Sequence, residues 1–175
     1  MGNGNDTVKA LGCGNDTISL GTGAGPVQLG SGSSAVTTGG AATLFGGGNG
    51  DKLLANRSGA QILGAGTRNE TLTGSSVGGA SDTFVGSGGA TTVIASPSVT
   101  NVFEFIHDSA GGTEFVTGFT SIGQVDLHQA GYASNSLASV ASQNNGGGNL
   151  NIALSNGTQL TFQNITSPLT NRNFS

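Results

Sequence analysis

Two short stretches, GNGNDTV at residues 2–8 and GCGNDTI at residues 12–18, place a carboxylate two residues before a β-branched apolar side chain. Each sits in a turn rich in glycine and asparagine. A carboxylate among peptide carbonyls offers the hard oxygen donors that a calcium ion takes. Asp and Asn also fold turns by accepting backbone N–H groups with no metal present. Both chemistries are open at this point. Other reactive types are few: the only His–acid neighbours are His107–Asp108 and Asp126-Leu127-His128, and Cys13 is the single cysteine. Neighbours in sequence do not make a triad and no H-E-x-x-H occurs, so no catalytic role is expected of this chain.

The composition narrows the classes. The chain has 175 residues with 33 Gly, 3 Pro, 8% charged residues and no Trp. So much glycine with so little proline excludes collagen. It leaves either a flexible polar chain or an ordered repeat, which periodicity must decide. Net charge is −4 with only five Lys and Arg, so nucleic acid is not an expected partner. No apolar run approaches membrane-spanning length, so no membrane span is expected. Met1 leads into a Gly/Asn turn rather than a basic and apolar stretch, so an N-terminal leader is not expected. A lone Cys13, in a turn and expected to be exposed, excludes an internal disulfide.

The periodicity is present. Starting from Val8, the apolar residue recurs at Ile18, Val27, Val36, Leu44, Leu53, Ile62, Leu72, Phe84 and Val93. Glycines cluster before most of these, as at Gly12/Gly14, Gly30/Gly32 and Gly46/Gly47/Gly48. Nine residues divide into a turn of about six and a strand of about three, with glycine permitting φ > 0 in the bend. One inward apolar residue per strand fills a narrow core, and Thr, Ser or Lys alternates outward. The expected fold is all-β: a right-handed parallel β-roll, or β-solenoid, over residues 1–98, two units per coil. No unit is stable alone, so order comes from stacking.

Beyond Ser98 glycine thins and a β-rich capping region, residues 99–175, is expected. VTNVFEFIHD (99–108) reads as a strand with Phe103 and Phe105 on one face. YASNSLASVASQ (132–143) carries Leu137 and Val140 at a spacing that suits a short helix. NLNIALS and TQLTFQNI form a hairpin near 149–165, with Asn156-Gly157 as its two-residue turn. The cap would seal the end of the roll against edge pairing.

With these residues in view, the sequence resembles the repeats-in-toxin family, or hemolysin-type calcium-binding repeats, whose nonapeptide is G-G-x-G-x-D-x-U-x. GNGNDTV and GCGNDTI fit positions two to eight, and GGGNGDKL (46–53) fits with its turn residues shuffled. The stretch from VFEF through FTSIGQVDL to the hairpin also resembles the segment that ends many such proteins. The resemblance implies a non-catalytic C-terminal module of a secreted, extracellular bacterial protein, exported by type I secretion machinery. It also implies calcium-assisted folding outside the cell. Two alternatives stay open: an adhesin or polysaccharide-binding module acting at a cell surface, and a structural assembly element that folds without calcium.

In that family turns alternate between two edges, and calcium sits between successive turns of one edge. The position two before each inward residue reads Asp6, Gly25, Ala42, Ala60 and Asp82 on one edge. On the other it reads Asp16, Ser34, Asp51, Glu70 and Thr91. Only the second edge stacks two acids. The resemblance therefore implies a calcium interval at Asp51/Glu70, a poorer one from Asp16, and carbonyl ligands from Gly46, Gly48 and Gly66. Asp6 and Asp82 are the remaining candidates. Lys52 and Arg57 lie near this edge and would weaken it.

Overall fold

The computed structural model describes residues 2–56, 61–64, 68–77, 79, 81–86, 88–105, 111–127, 132 and 135–174. His107, Asp108, His128, Arg57, Ala60 and Gly66 lie outside the described residues. Short strands follow the nine-residue rhythm: β1 (Val8–Ala10), β2 (Thr17–Ser19), β3 (Pro26–Leu29), β4 (Ala35–Thr38), β5 (Thr43–Phe45), β6 (Asp51–Ala55), β7 (Gln61–Gly64), β8 (Glu70–Thr73), β9 (Asp82–Gly86) and β10 (Ala90–Ile94). Then come β11 (Val102–Phe105), β12 (Thr113–Thr117), β13 (Gln124–Asp126), β14 (Val140–Gly146), β15 (Asn149–Leu154) and β16 (Gln159–Phe162).

Up to β13 the odd-numbered strands build one parallel seven-stranded sheet. The even-numbered strands up to β12 build part of a nine-stranded sheet that β16, β15 and β14 complete. This is a parallel β-solenoid in which β1 to β10 make five coils. The ladders continue without a break through β11, β12 and β13. The composition explains the alternation: β-branched Val, Ile and Thr suit a pleat buried on one face, and the short strands leave room for one or two inward residues each.

The core is one column per sheet. Val27, Leu44, Phe84 and Phe103 lie in the seven-stranded sheet, and Val36, Leu53, Leu72, Val93 and Val116 face them, all at most 2% exposed. Towards the C-terminal end the column becomes aromatic. Phe84 and Phe103 stack with ring centroids 5.4 Å apart, and Phe119 and Phe162 meet at 4.5 Å. Such pairs add to the apolar burial already made by large rings.

Four local expectations are corrected. Ile62 is 41% exposed; the register sets Leu63, not Ile62, level with Leu44 and Phe84. A strand has period two, so one extra residue before Leu63 turns Ile62 outward. The residue level with Asp82 is accordingly Gln61 rather than Ala60. The described part of residues 132–143 holds no α-helix: a single 3-10 turn (Leu137–Ser139) leads into β14, which pairs antiparallel with β15. Its Ser and Asn content favours caps and turns over a helix interior, and the β15 edge supplies the hydrogen bonds of β14. The Asn156-Gly157 turn is a three-residue loop: Gly157 N–H donates to Leu154 O at 3.0 Å and only Gly157, at φ 93°, is left-handed. That is a type I turn with a bulge.

The fourth correction concerns glycine. Within the five coils, only Gly50 and Gly79 of the described residues have positive φ. Many of the others, from Gly21 onward, serve close approach. At Gly32 a Cβ would run into the carbonyl oxygen of Gly14, and at Gly48 into that of Gly32. Turns stack backbone on backbone, which no side chain at those positions permits.

Candidate functional site

The acid row runs inside the corner of each coil. Thr17 pairs with Ala35, Ala35 with Lys52, and Asp51 with Glu70, Glu70 with Thr91 and Thr91 with Glu114. Asp16, Ser34, Asp51, Glu70, Thr91 and Glu114 therefore form one row of neighbours along the nine-stranded sheet, on the edge the sequence assigns. The row faces inward: Asp51, Glu70, Thr91 and Glu114 are all buried, and Asp16 is half-buried. The opposite row holds Asp6, Gly25, Ala42, Gln61, Asp82 and Asn101.

Asp51 is the best-defined member. One carboxylate oxygen accepts the Ser34 N–H of the preceding coil at 2.7 Å. The other accepts the N–H groups of Gly47 and Gly48, in its own turn, at 2.9 and 2.8 Å. Gly48 thus presents its N–H, not its carbonyl, to the acid. The Glu70 carboxyl lies against the Cα of Gly46, where a Cβ would stand 2.5 Å from Oε1. Calcium needs oxygen donors around it, whereas three amide hydrogens converge on Asp51. Asp51, with both oxygens taken up by amides, does not fit a resident cation at its own carboxylate.

Asparagine completes the arrangement. Asn5 accepts the Ala24 N–H at 2.8 Å, Asn15 the Ser33 N–H at 2.8 Å and Asn69 the Ala90 N–H at 3.2 Å. Each of these stands immediately before a row residue. In Asn-acid units the asparagine reaches the coil that follows. The acid at Asp51 ties its own turn to the coil before. Cross-coil hydrogen bonds replace the water that a lone turn would keep. The asparagine of the pair that suggests a metal loop thus acts as a splice between coils, and at Asp51, which follows Gly50, the acid does so.

Asp82 stands at the opposite edge, 1% exposed. Its Oδ2 accepts the Ser75 N–H at 2.7 Å, while Oδ1 is buried with no hydrogen-bond partner among the described residues. Burial pushes its carboxyl up to about 6, against the lowering effect of Ser75. Asp6 is half-buried at the first corner of the same edge. On the outer face of that sheet, Glu104 lies beside Asp126. Its carboxyl is raised by burial first and by the Asp126 charge second.

Glu114 and the three asparagines are the residues that sequence reasoning missed. Glu114 stands two residues before the inward Val116, as Asp6 stands before Val8, so its signal was present in the spacing. The spacing G-x-S-x-G also occurs, at residues 74–78, between β8 and β9, with no helix following among the described residues. The strand–turn–helix context of a nucleophile elbow is absent there. Cys13 is exposed and Lys52 points outward, away from the row. Among the described residues no group of three or more His, Cys, Asp or Glu could hold a metal ion. No helix of the described residues is long and apolar enough to cross a membrane.

No protein-family model matches this chain. No curated protein shows significant similarity to it.

Proposed function

We propose that this chain is a non-catalytic repeat module of a secreted bacterial protein, of the repeats-in-toxin kind, that passes a type I secretion route unfolded and folds outside the cell. The observation that carries the reading is the asparagine splice, in which Asn5 and Asn15 of the repeated GND units accept backbone N–H groups of the following coil. A coil held by hydrogen bonds to its neighbours has little stability alone, so the chain is extended until stacking begins. The aromatic coils and the β14–β16 region provide a place for stacking to start.

In this reading the amide clamps at Asp51 replace the calcium that the resemblance implies, and calcium is not required for the fold. Far-ultraviolet circular dichroism and melting with chelator, and then with millimolar calcium, test this. An unchanged spectrum and midpoint support the metal-independent version. A large calcium-dependent gain would return Asp51, Glu70 and Asp16 to the role of ligands.

A second reading rests on the outer face of the nine-stranded sheet. Thr17, Thr37, Thr71, Thr73, Thr92 and Thr117 share that face with exposed Ile94 and Phe115. A flat face of hydroxyls and apolar groups suits the surface of a polysaccharide. Co-sedimentation with insoluble polysaccharides distinguishes it from a purely structural module.

A further inference from the structure

Beyond β16, residues 163–174 cross as a strap from the nine-stranded sheet to the seven-stranded one. Asn164 turns the chain off β16 in the left-handed region, at φ 59°, alone among the described non-glycine residues; asparagine tolerates that conformation. Phe174 then bridges Val125 of β13 in the parallel sense, so the strap ends running with β13 and away from residues 119–121. Three amide side chains fix it. Gln143 bonds both backbone groups of Leu169, at 2.8 and 3.3 Å, and Asn145 donates to the carbonyl of Thr166. Asn173 accepts the Thr170 N–H at 3.0 Å and donates to the Gly123 carbonyl at 3.4 Å.

Between the strap and residues 119–121 lies a cavity of about 490 Å³, a size that small-molecule sites commonly have. Its walls are fixed by these amides on one side and, on the other, by Phe119, whose ring meets Phe162 at 4.5 Å. Phe119 and Leu169, both buried, and half-buried Ile165 line it with apolar groups. Thr166 and Ser167 add exposed hydroxyls at its rim. No Asp or Glu lines it. Arg172 does, and it is the only Lys or Arg beyond residue 68. Its side chain is exposed and has no ion-pair partner among the described residues.

We propose that this cavity binds an amphiphile: one anionic head, a carboxylate or a phosphate monoester, on an apolar body. The head lies on the Arg172 guanidinium, whose planar fork matches either group bidentately. The body covers Phe119, Ile165 and Leu169. An apolar floor alone would suit any hydrophobe and a lone cation any anion; the two together select a molecule that carries both. A pocket held open by its own amides costs the ligand little ordering of the protein.

Isothermal titration calorimetry of the full chain with decanoate and with decyl phosphate, each below its micelle threshold, tests this. Saturable binding of at least one of them at a single site is expected, and the head that binds identifies the anion. In amide NMR spectra the shifts gather at residues 119–121 and 164–173. Acetate, a head without a body, and methyl decanoate, a body without a charge, bind more weakly by about tenfold or more. Arg172→Gln weakens the bound anion by about tenfold or more, the loss of a charge-assisted hydrogen bond, with an unchanged circular dichroism spectrum. Ser167→Trp, at an exposed position of the rim, fills the cavity and abolishes binding with the spectrum intact. No saturable binding of either anion, equal affinity for methyl decanoate, shifts centred elsewhere, or affinity that survives both substitutions would overturn the proposal.

Discussion

The carboxylate of Asp51 holds the backbone N–H of Ser34 at 2.7 Å, joining two coils through residues seventeen apart in the chain. With Gly47 and Gly48 on its second oxygen, this one fully buried side chain satisfies three amides. The acid stabilises its corner through what it accepts, and several consequences can be measured.

Asp51→Ala strands three amides, of which those of Ser34 and Gly48 belong to buried residues. Hydrogen bonds to a charged acceptor contribute about 1.5–3 kcal/mol each, and buried groups left unpaired cost a similar amount. A loss of about 3 kcal/mol or more is expected from urea denaturation. A loss below about 1 kcal/mol would mean that the clamp is not what stabilises the corner.

Glycine-to-alanine substitutions separate close approach from backbone freedom. Gly48 and Gly14 both lie outside the positive-φ set, but a Cβ at Gly48 collides with Gly32 O and one at Gly14 meets nothing within 4 Å. Gly48→Ala is expected to cost about 2 kcal/mol or more, and Gly14→Ala to be neutral or slightly stabilising. Equal effects at the two positions in thermal melts would refute the stacking account.

Asp82 makes stability depend on pH in an unusual direction. Its folded-state value of about 6 lies above the ordinary 3.8, so the folded chain holds the proton more tightly than the unfolded one. Stability from this group is greatest below 3.8 and falls as pH climbs through about 6, by at most about 3 kcal/mol. Glu104 contributes in the same direction. Asp82→Asn keeps an acceptor for Ser75 and flattens that part of the profile. Denaturant midpoints measured across the range would show an unaltered slope if the assignment is wrong.

Order should be graded along the solenoid. Phe103 contacts Phe84, Phe119 and Phe162 at centroid distances of 5.4, 5.4 and 6.2 Å, whereas the first coil is half open. Native-state hydrogen exchange is expected to be slowest in β9 to β12 and fastest in β1 and β2. Phe103→Ala is expected to cost about 3–5 kcal/mol. Uniform protection from end to end would argue for a single cooperative block.

Much of this was written in the linear chain. Spacing alone places Val27, Val36, Leu44 and Leu53 in one interior and assigns Asp16, Ser34, Asp51 and Glu70 to one edge, because two nine-residue units return the chain to the same sheet. The Ile62–Leu63 slip shows the limit: a one-residue difference decides which side of a pleat a side chain takes, and two adjacent apolar residues give no local preference. Residues 132–143 show another, since β14 exists only because β15 offers a partner.

The order of inward residues, the two edges and the glycine-dependent corners follow from local spacing, which covalent geometry converts directly into position. What the acids hold was decided only by tertiary structure. The donors that meet Asp51 include Ser34, brought alongside by stacking, and a carboxylate in a turn has the same local sequence whether it faces a cation or three amides.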